Sequence, residues 1–288
     1  MDGVLVCDKP AGLTSHDVVA RVRRLAGQRR IGHGGTLDPP ATGVLVMALG
    51  RATRLLPFLP TEPKRYLAEV AFGAETDTLD AAGTVTATAV ADGVDSERLR
   101  AAMAGFLGPQ EQVPPMVSAI KVAGERLYAK ARRGEEVERA PRPIVIHDLE
   151  LLGLAQGERP VATIAVVCSG GTYVRSLAAD LGRSLGTLAH LASLRRTAVG
   201  RFAEADAQTL EELAEPGRLA AAVLDPAAAM ASTATRALTP AEASALANGR
   251  ALDPTGHGDP VAALGPDGRL VAVIQDSAGR ARPKVVLA

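Results

Sequence analysis

The stretch GHGGTLDPPATG, residues 32–43, holds four glycines and two prolines within twelve positions. Glycine is favoured where the backbone turns back or another chain comes close, and proline fixes its own backbone angle. A stretch rich in both residues is restricted to a few backbone conformations. We therefore predict a rigid loop over residues 31–43 that holds a functional group still.

Asp38 is the candidate functional group of this loop, because it is the single acid among seven arginines between Arg21 and Arg54. Its carboxylate can close a local turn ahead of Pro39. It can also stay ionised beside the arginines and serve as a nucleophile or a base. The loop contains neither a GK[ST] sequence nor GxGxxG, which excludes the common nucleotide-binding loops.

The chain on either side of the loop predicts core elements. Residues 3–7 predict a strand and residues 44–49 a buried strand, with a short helix over 52–59. A helix capped by Thr14 or Ser15 lies between the two strands. Its apolar stripe is Val18, Val19, Val22 and Leu25.

Farther along, one strand and one turn carry unusual residues. Alternation over residues 65–73 places Tyr66, Ala68, Val70 and Phe72 on one face of a strand, with residues 83–89 as its hairpin partner or neighbour. A glycine turn at 169–171 opens a helix whose first residues include Tyr173 and Arg175, and such turns often carry function. Further elements are predicted as a helix over 95–106, strands over 144–154 and 161–168, a helix over 240–248, and strands over 261–264 and 270–274.

Composition places the chain among globular proteins with one large domain, or one large and one small. It has 288 residues, of which 47% are hydrophobic and 22% charged. There is no run of 18 apolar residues, and Asp2 and Asp8 lie where a signal peptide would be basic, so we expect a soluble cytoplasmic protein. The two cysteines, Cys7 and Cys168, and the isolated His33 offer no ligand set, so we predict neither metal nor cofactor.

The charges cancel overall, with 32 basic and 32 acidic residues, but they are sorted along the chain. The arginine-rich segment 21–54 is followed by seven acids and no base over residues 69–97. A protein with no net charge whose charges are segregated in this way can present a basic face to a polyanion such as RNA.

Four runs, in this order, resemble the motifs of the bacterial tRNA pseudouridine-55 synthases, the TruB family. They are DKPAGLTS at 8–15, GHGGTLDPPATGVL at 32–45, KRY at 64–66 and GTYVRSL at 171–177. The resemblance extends from residue 3 to about residue 200, and GTLDP is highly specific to this family and its guide-RNA-dependent relatives. The chain departs from the family pattern at Gly34, Pro40, Arg54 and Val117, none of which alters Asp38.

The resemblance implies an α/β (α+β) fold, with a mixed, largely antiparallel central sheet, flanking helices and a small β-rich C-terminal domain. Residues 1–233 would form the catalytic domain, with an RNA-gripping insertion at about 114–142. Residues 234–288 would form a PUA-like RNA-binding domain.

The implied reaction isomerises uridine 55 in the TΨC loop of tRNA to pseudouridine after the base is flipped out, with Asp38 as the nucleophile. Attack at ribose C1′, attack at uracil C6 and a glycal route all stay open. The other implied roles are stacking and proton acceptance by Tyr66, filling of the vacated space by His33, pairing with Asp38 by Arg175, lining of the uracil pocket by Tyr173 and Leu194, and support of the fold by Lys9.

Three alternatives stay open. One, from another class, is a non-catalytic protein that binds tRNA and assists its folding, which the intact Asp38, Tyr66 and Arg175 disfavour. The second is a guide-RNA-dependent relative, which is disfavoured because the chain opens directly into the catalytic motifs and ends without a basic tail. An N-glycosidase would use the same carboxylate but release free base. We expect a monomer whose partner is the T-arm stem-loop of tRNA, with no protein partner and no membrane association.

Overall fold

A computed structural model describes residues 1–116, 121–122, 125–126 and 137–287. The chain forms two compact units, one from residues 1–61 and 198–288 and the other from residues 62–197. The domain boundary at residue 233 stays a prediction. Most of the insertion expected at 114–142 lies outside the described residues.

The first unit begins with three strands, a helix and a 3₁₀ helix. Their bounds are β1 Gly3–Lys9, α1 Ser15–Ala26, β2 Ile31–Gly34, β3 Thr42–Leu49 and the 3₁₀ helix Gly50–Leu55. Strand β3 pairs antiparallel with both β1 and β2. Alternate residues of β3 enter two different apolar clusters, one containing Val46 and the other Met47. Because both of its faces are buried, the strand is apolar throughout instead of alternating.

Helix α1 is capped as its sequence predicts. Thr14 and Asp17 form a reciprocal capping box, and Gly27 ends the helix in the left-handed conformation with φ 59°. Val18, Val19 and Val22 are buried. Leu25 is 41% exposed, so its assignment to the apolar stripe is wrong.

The predicted loop begins later than residue 31, because residues 31–34 pair with β3 as strand β2. The glycines in this strand make room for a neighbour. A Cβ added at Gly32 would lie 3.2 Å from Leu56 Cδ1. The glycine pattern is explained here by close packing as well as by turning.

The rest of the first unit follows residue 198. Its elements are β13 Phe202–Ala203, α4 Leu210–Ala214, α5 Arg218–Ala222, α6 Pro226–Ala229, β14 Thr235–Ala237, α7 Pro240–Ala247, β15 Val261–Leu264, β16 Leu270–Ser277 and β17 Arg280–Val286. Strands β14 to β17 form a four-stranded sheet in chain order. One face of that sheet, including Val273 and Val285, packs in the same apolar cluster as Val6 and Val46. The C-terminal sheet thus shares a core with the first strands of the chain.

The second unit is built on a sheet with the order β12-β4-β11-β10-β7. Its elements are β4 Lys64–Phe72, β5 Ala74–Thr76, β6 Val85–Thr88, α2 Ser96–Ala104, β7 Gly108–Gln112, β8 Lys121–Val122, β9 Glu125–Arg126, β10 Arg142–Ala155, β11 Val161–Cys168, α3 Val174–Ser184 and β12 Ala189–Val199, whose last two residues belong to the first unit. The alternation predicted for β4 is confirmed, since Tyr66, Ala68, Val70 and Phe72 are buried.

Residues 83–89 do not pair with β4 as predicted. Strand β6 pairs with β5 in a separate two-stranded sheet, and the neighbours of β4 in its own unit are β11 and β12. All four residues of β6 are exposed, so the strand has no apolar face with which to join the main sheet.

The predicted fold class is confirmed. Every strand pair of the main sheet whose register is known is antiparallel, helices accompany the sheet, and the C-terminal part is rich in β-structure. No helix in the described part of the chain is both long and apolar enough to cross a membrane.

Candidate active site

The Asp38 loop is anchored on both sides of the aspartate. Leu37 is buried, its N–H donates to Ser15 Oγ at 2.9 Å, and that hydroxyl donates to Leu37 O at 3.2 Å. The Asp38 carbonyl accepts from Ala41 N at 3.1 Å, which closes the turn over Pro39. Asp38 itself is partly exposed. The backbone around the carboxylate is therefore fixed while the side chain stays accessible.

The side chain of Lys9 also holds the Asp38 loop. Its ammonium group is fully buried and donates to the carbonyls of Pro10, Leu13 and Pro39 at 3.0, 2.7 and 3.1 Å. The Gly12 N–H also donates to Pro39 O, at 2.9 Å. One side chain thus joins the end of β1, the start of α1 and the turn after Asp38. The supporting role expected of Lys9 stays a prediction.

His33 lies on β2, opposite Met47 of β3, and is partly buried. Its ring meets the ring of His16 edge-on, with centroids 6.5 Å apart and planes at 84°. His16 lies in the first turn of α1 and is exposed. The expected intrusion of His33 into an RNA loop stays a prediction.

Tyr66 lies on the buried face of β4 and is 8% exposed. Its hydroxyl is hydrogen-bonded to the guanidinium of Arg196 on the adjacent strand β12. Burial lowers the pKa of Arg196, while the interaction with Tyr66 opposes that shift. Leu194, also on β12, packs against the apolar cluster that contains Tyr66.

Tyr173 lies immediately before helix α3, and the side chain of Gln112 holds it there. The Tyr173 N–H donates to Gln112 Oε1 at 2.7 Å, and Gln112 Nε2 donates to Tyr173 O at 3.1 Å. Gly171, with φ 86°, makes the turn that precedes it. Gln112 thus accepts from an N–H at the start of the helix, where N–H groups have no partner within the helix. Its bond to Tyr173 O adds to the helical bond from Leu177 N at 3.1 Å.

Arg175 lies in the first turn of α3 and is buried. Its Nη1 donates to Thr78 O at 2.9 Å, and its Nε lies 3.6 Å from Asp80 Oδ2. Asp80 in turn accepts from the Thr78 hydroxyl at 2.7 Å. The arginine is therefore oriented by the Asp80 carboxylate and the Thr78 carbonyl.

The candidate residues are divided between the two units. Lys9, His33 and Asp38 belong to the first. The second contains Tyr66, Tyr173, Arg175 and Leu194. The expected pairing of Arg175 with Asp38 joins residues of different units and stays a prediction.

Three residues near the candidate site were not predicted from the sequence: Gln112, Asp80 and Arg196. Nothing in the sequence distinguishes Asp80 from the other six acids over residues 69–97, and Gln112 lies in a run of residues with low β-propensity. Arg196 follows another arginine in a strand that was not predicted. The arginine-rich composition conceals how deeply Arg196 is buried, at 1% exposed.

Both cysteines are buried in the core. Burial raises the pKa of Cys7 to about 12 and that of Cys168 to about 11, so both thiols stay protonated at neutral pH. Among the residues that the structure describes, no group of three or more His, Cys, Asp or Glu side chains could hold a metal ion.

Comparison with known families identifies the chain as a pseudouridylate synthase. A family model described as TruB family pseudouridylate synthase (N terminal domain) matches residues 23–174. Models for the C-terminal regions of the same enzymes match residues 175–244 and 234–288. The chain belongs to the TruB family.

Named relatives agree with this assignment. A tRNA pseudouridine synthase B of Thermobifida fusca is 45% identical over 293 residues, covering 100% of this chain and 99% of the relative. One from Symbiobacterium thermophilum is 55% identical over 230 residues, covering 80% of this chain and 76% of the relative.

Two solved structures contain chains of the same fold. A Cbf5-Nop10-Gar1 complex contains a chain that is 27% identical, with a TM-score of 0.75 and coverage of 99% of this chain and 85% of that one. An H/ACA RNP bound to a substrate RNA containing 2′-deoxyuridine contains one that is 25% identical, with a TM-score of 0.74 and the same coverage.

Proposed function

We propose that this chain converts uridine to pseudouridine in tRNA, with uridine 55 of the T-arm as its target. The carrying observation is the Asp38 loop, anchored by Lys9 and Ser15, in a chain that resembles enzymes named tRNA pseudouridine synthase B over its full length. A monomeric cytoplasmic enzyme is part of the same proposal.

The reaction requires a carboxylate nucleophile and a group that accepts the proton from uracil C5. The reaction replaces the N-glycosidic bond by a C–C bond between ribose C1′ and uracil C5, without net hydrolysis or redox change. Asp38 is the nucleophile that lets the uracil detach and turn. Its rigid loop presents the carboxylate in one position, which lowers the entropy lost on reaching the transition state.

The substrate base must leave its stack before it can react. Tyr66 would stack on the flipped uracil, Tyr173 and Leu194 would line its pocket, and His33 would fill the space that it leaves. Arg175 would pair with Asp38 and keep it ionised. Tyr66 would then accept the C5 proton.

The deciding experiment uses Asp38→Asn and a uridine-labelled T-arm stem-loop. The amide keeps the shape of the side chain but is not a nucleophile, so turnover should be abolished. Affinity for the RNA should stay within about tenfold, because interactions with phosphates supply most of it. Pseudouridine formation and RNA binding are measured separately.

Asp92→Asn is the matched control, since Asp92 is an exposed acid in a turn of the second unit. It should retain full activity. Substantial isomerisation by purified Asp38→Asn would contradict the nucleophile assignment. A wild-type protein that binds the stem-loop and forms no product would favour the RNA-folding alternative, and a loss of RNA mass would favour an N-glycosidase.

A further inference from the structure

Arg196 is an unusual residue for the inside of a sheet. It is only 1% exposed, and it lies on β12 beside the Tyr66 strand β4. Its guanidinium is hydrogen-bonded to the Tyr66 hydroxyl. Because a guanidinium has only donors, the phenol oxygen is the acceptor in this bond.

Burying such a cation is unfavourable, and an apolar side chain of similar size often stabilises a fold equally well or better. The burial is reflected in the lowered pKa of Arg196. Packing alone therefore gives no reason for an arginine at this position. An apolar side chain could not supply the hydrogen bond to the Tyr66 hydroxyl oxygen.

We infer that Arg196 is a positioning residue, whose guanidinium fixes the Tyr66 hydroxyl and stabilises negative charge on its oxygen while Tyr66 takes the proton from uracil C5. This inference rests on the proposed function, because it assigns a partner to the proton acceptor named there. Arg196 acts on Tyr66 and does not itself contact the uracil.

Transfer of the C5 proton to Tyr66 follows formation of the new bond to ribose. The Tyr66 phenolate takes the proton from C5 once C5 is bonded to ribose C1′. The C–H electron pair becomes the C5–C6 double bond, and N1 of the turned uracil takes up a proton. The charge on the phenolate oxygen is present before the transfer, so a neighbouring cation raises the fraction of Tyr66 that can act as a base.

Other charged groups lie near this pair. Lys64, two residues before Tyr66 on β4, has its pKa lowered by burial and by the charge of Arg196, and Glu62 opposes that shift. Glu62 is itself held by the Gly170 N–H at 3.0 Å. Cys168, opposite Lys64 on β11, stays protonated. Arg196 is hydrogen-bonded to the Tyr66 hydroxyl itself.

The chain allows a direct spectroscopic test. It contains no tryptophan and three tyrosines, Tyr66, Tyr128 and Tyr173, so tyrosinate absorbance can be followed without interference. Subtracting the titration of Tyr66→Phe from that of the wild type isolates Tyr66. The same difference is then measured in Arg196→Gln, using the full-length protein without RNA.

We expect Arg196→Gln to move the Tyr66 titration upward by about one pH unit or more, because the stabilising charge is gone. Arg183→Gln is the matched control, because the Arg183 side chain is 53% exposed and bonded to Asp180 and Glu75. It should leave the titration unchanged. An unchanged titration in folded Arg196→Gln would overturn the inference, whatever the enzyme's activity.

Kinetics provide the second arm. Arg196→Gln should lower the single-turnover rate about tenfold or more and leave RNA affinity unchanged, and it should have little further effect in a Tyr66→Phe background. Additive losses in the double variant would overturn the inference. If circular dichroism shows that the Gln variant does not fold, Arg196→Lys takes its place, and its loss of rate must likewise disappear in the Tyr66→Phe background. The activity of Asp38→Asn tests the proposed function independently of the inference about Arg196.

Discussion

At the scale of single residues, Tyr66 combines two proposed functions that substitution can separate. Its ring would stack on the flipped uracil, and its hydroxyl, held by Arg196, would accept a proton. Tyr66→Phe keeps the ring, so RNA binding should be retained while the rate falls. Tyr66→Ala should impair both, since stacking of a base on an aromatic ring contributes about 1–3 kcal/mol. Binding and single-turnover rates on a T-arm stem-loop measure the two effects.

Phe72 provides the control for this pair, because it lies on the same buried face of β4 six residues farther along. Phe72→Ala should lower thermal stability through the cavity that it leaves, and should affect the rate less than Tyr66→Ala does. Near-normal turnover by Tyr66→Phe would remove the hydroxyl from the mechanism. Asp38 would then be the next candidate to take the C5 proton.

Residues with a strong local pattern could be predicted from the sequence, and residues defined by their surroundings could not. The capping box of Thr14 and Asp17 and the buried face of β4 follow from spacing alone, and the structure confirms both. Of the three carbonyls that Lys9 bonds, that of Pro39 lies in a loop 30 residues away. No local spacing in the sequence encodes an interaction of that kind.

At the scale of elements, Gln112 positions the start of α3 from the edge strand β7. Both of its amide atoms bond the backbone of Tyr173. Gln112→Ala leaves two backbone groups without this partner, which costs about 1–3 kcal/mol in stability. We expect a lower thermal midpoint and a lower single-turnover rate, because Tyr173 and Arg175 lose their fixed orientation.

Gln110→Ala is the matched control for this prediction. Gln110 lies on the same strand and donates to the carbonyl of Phe106, away from α3. It should change stability but not the rate of the bound substrate. Equal rates for Gln112→Ala and the wild type at saturating RNA would show that the start of α3 needs no such support.

Two strands that position the site were not predicted, for a shared reason. Strand β7 has the sequence GPQEQ, and β12 has three alanines and two adjacent arginines among its eleven residues, so neither shows the β-branched and aromatic pattern typical of a strand. Their pairing is determined by neighbours that are distant in sequence, such as β10 for β7. The β-branched strands β10 and β11 were predicted at nearly their full length.

At the scale of the whole molecule, the arginine-rich segment 21–54 is only partly available to RNA. Four of its seven arginines bond to the protein itself. They are Arg23, Arg30, Arg51 and Arg54. The remaining three, Arg21, Arg24 and Arg29, are exposed. Clustering of charge in a sequence therefore overestimates the basic surface that the fold presents.

Removing the residues after Thr233 is a poor test of RNA binding by the C-terminal sheet. Ala262, Val273 and Val285 share an apolar cluster with Val6 and Val46, so truncation would expose the core of the first unit. Substitution of exposed basic residues in this region keeps that core intact. Arg250, Arg282 and Lys284 are all exposed and suit the purpose.

We therefore predict that Arg250→Glu, Arg282→Glu and Lys284→Glu each weaken tRNA binding, with catalysis at saturating RNA unchanged. A variant that no longer neutralises one phosphate should show a slope of log affinity against log salt that is shallower by about one. Binding is measured over a range of salt concentrations. Arg100→Glu, at an exposed arginine of α2, is the control and should leave the slope unchanged. Unaltered slopes in all three variants would contradict RNA binding by residues 234–288. Phosphate binding would then be assigned to other exposed basic residues, with Arg21, Arg24 and Arg29 as the first candidates.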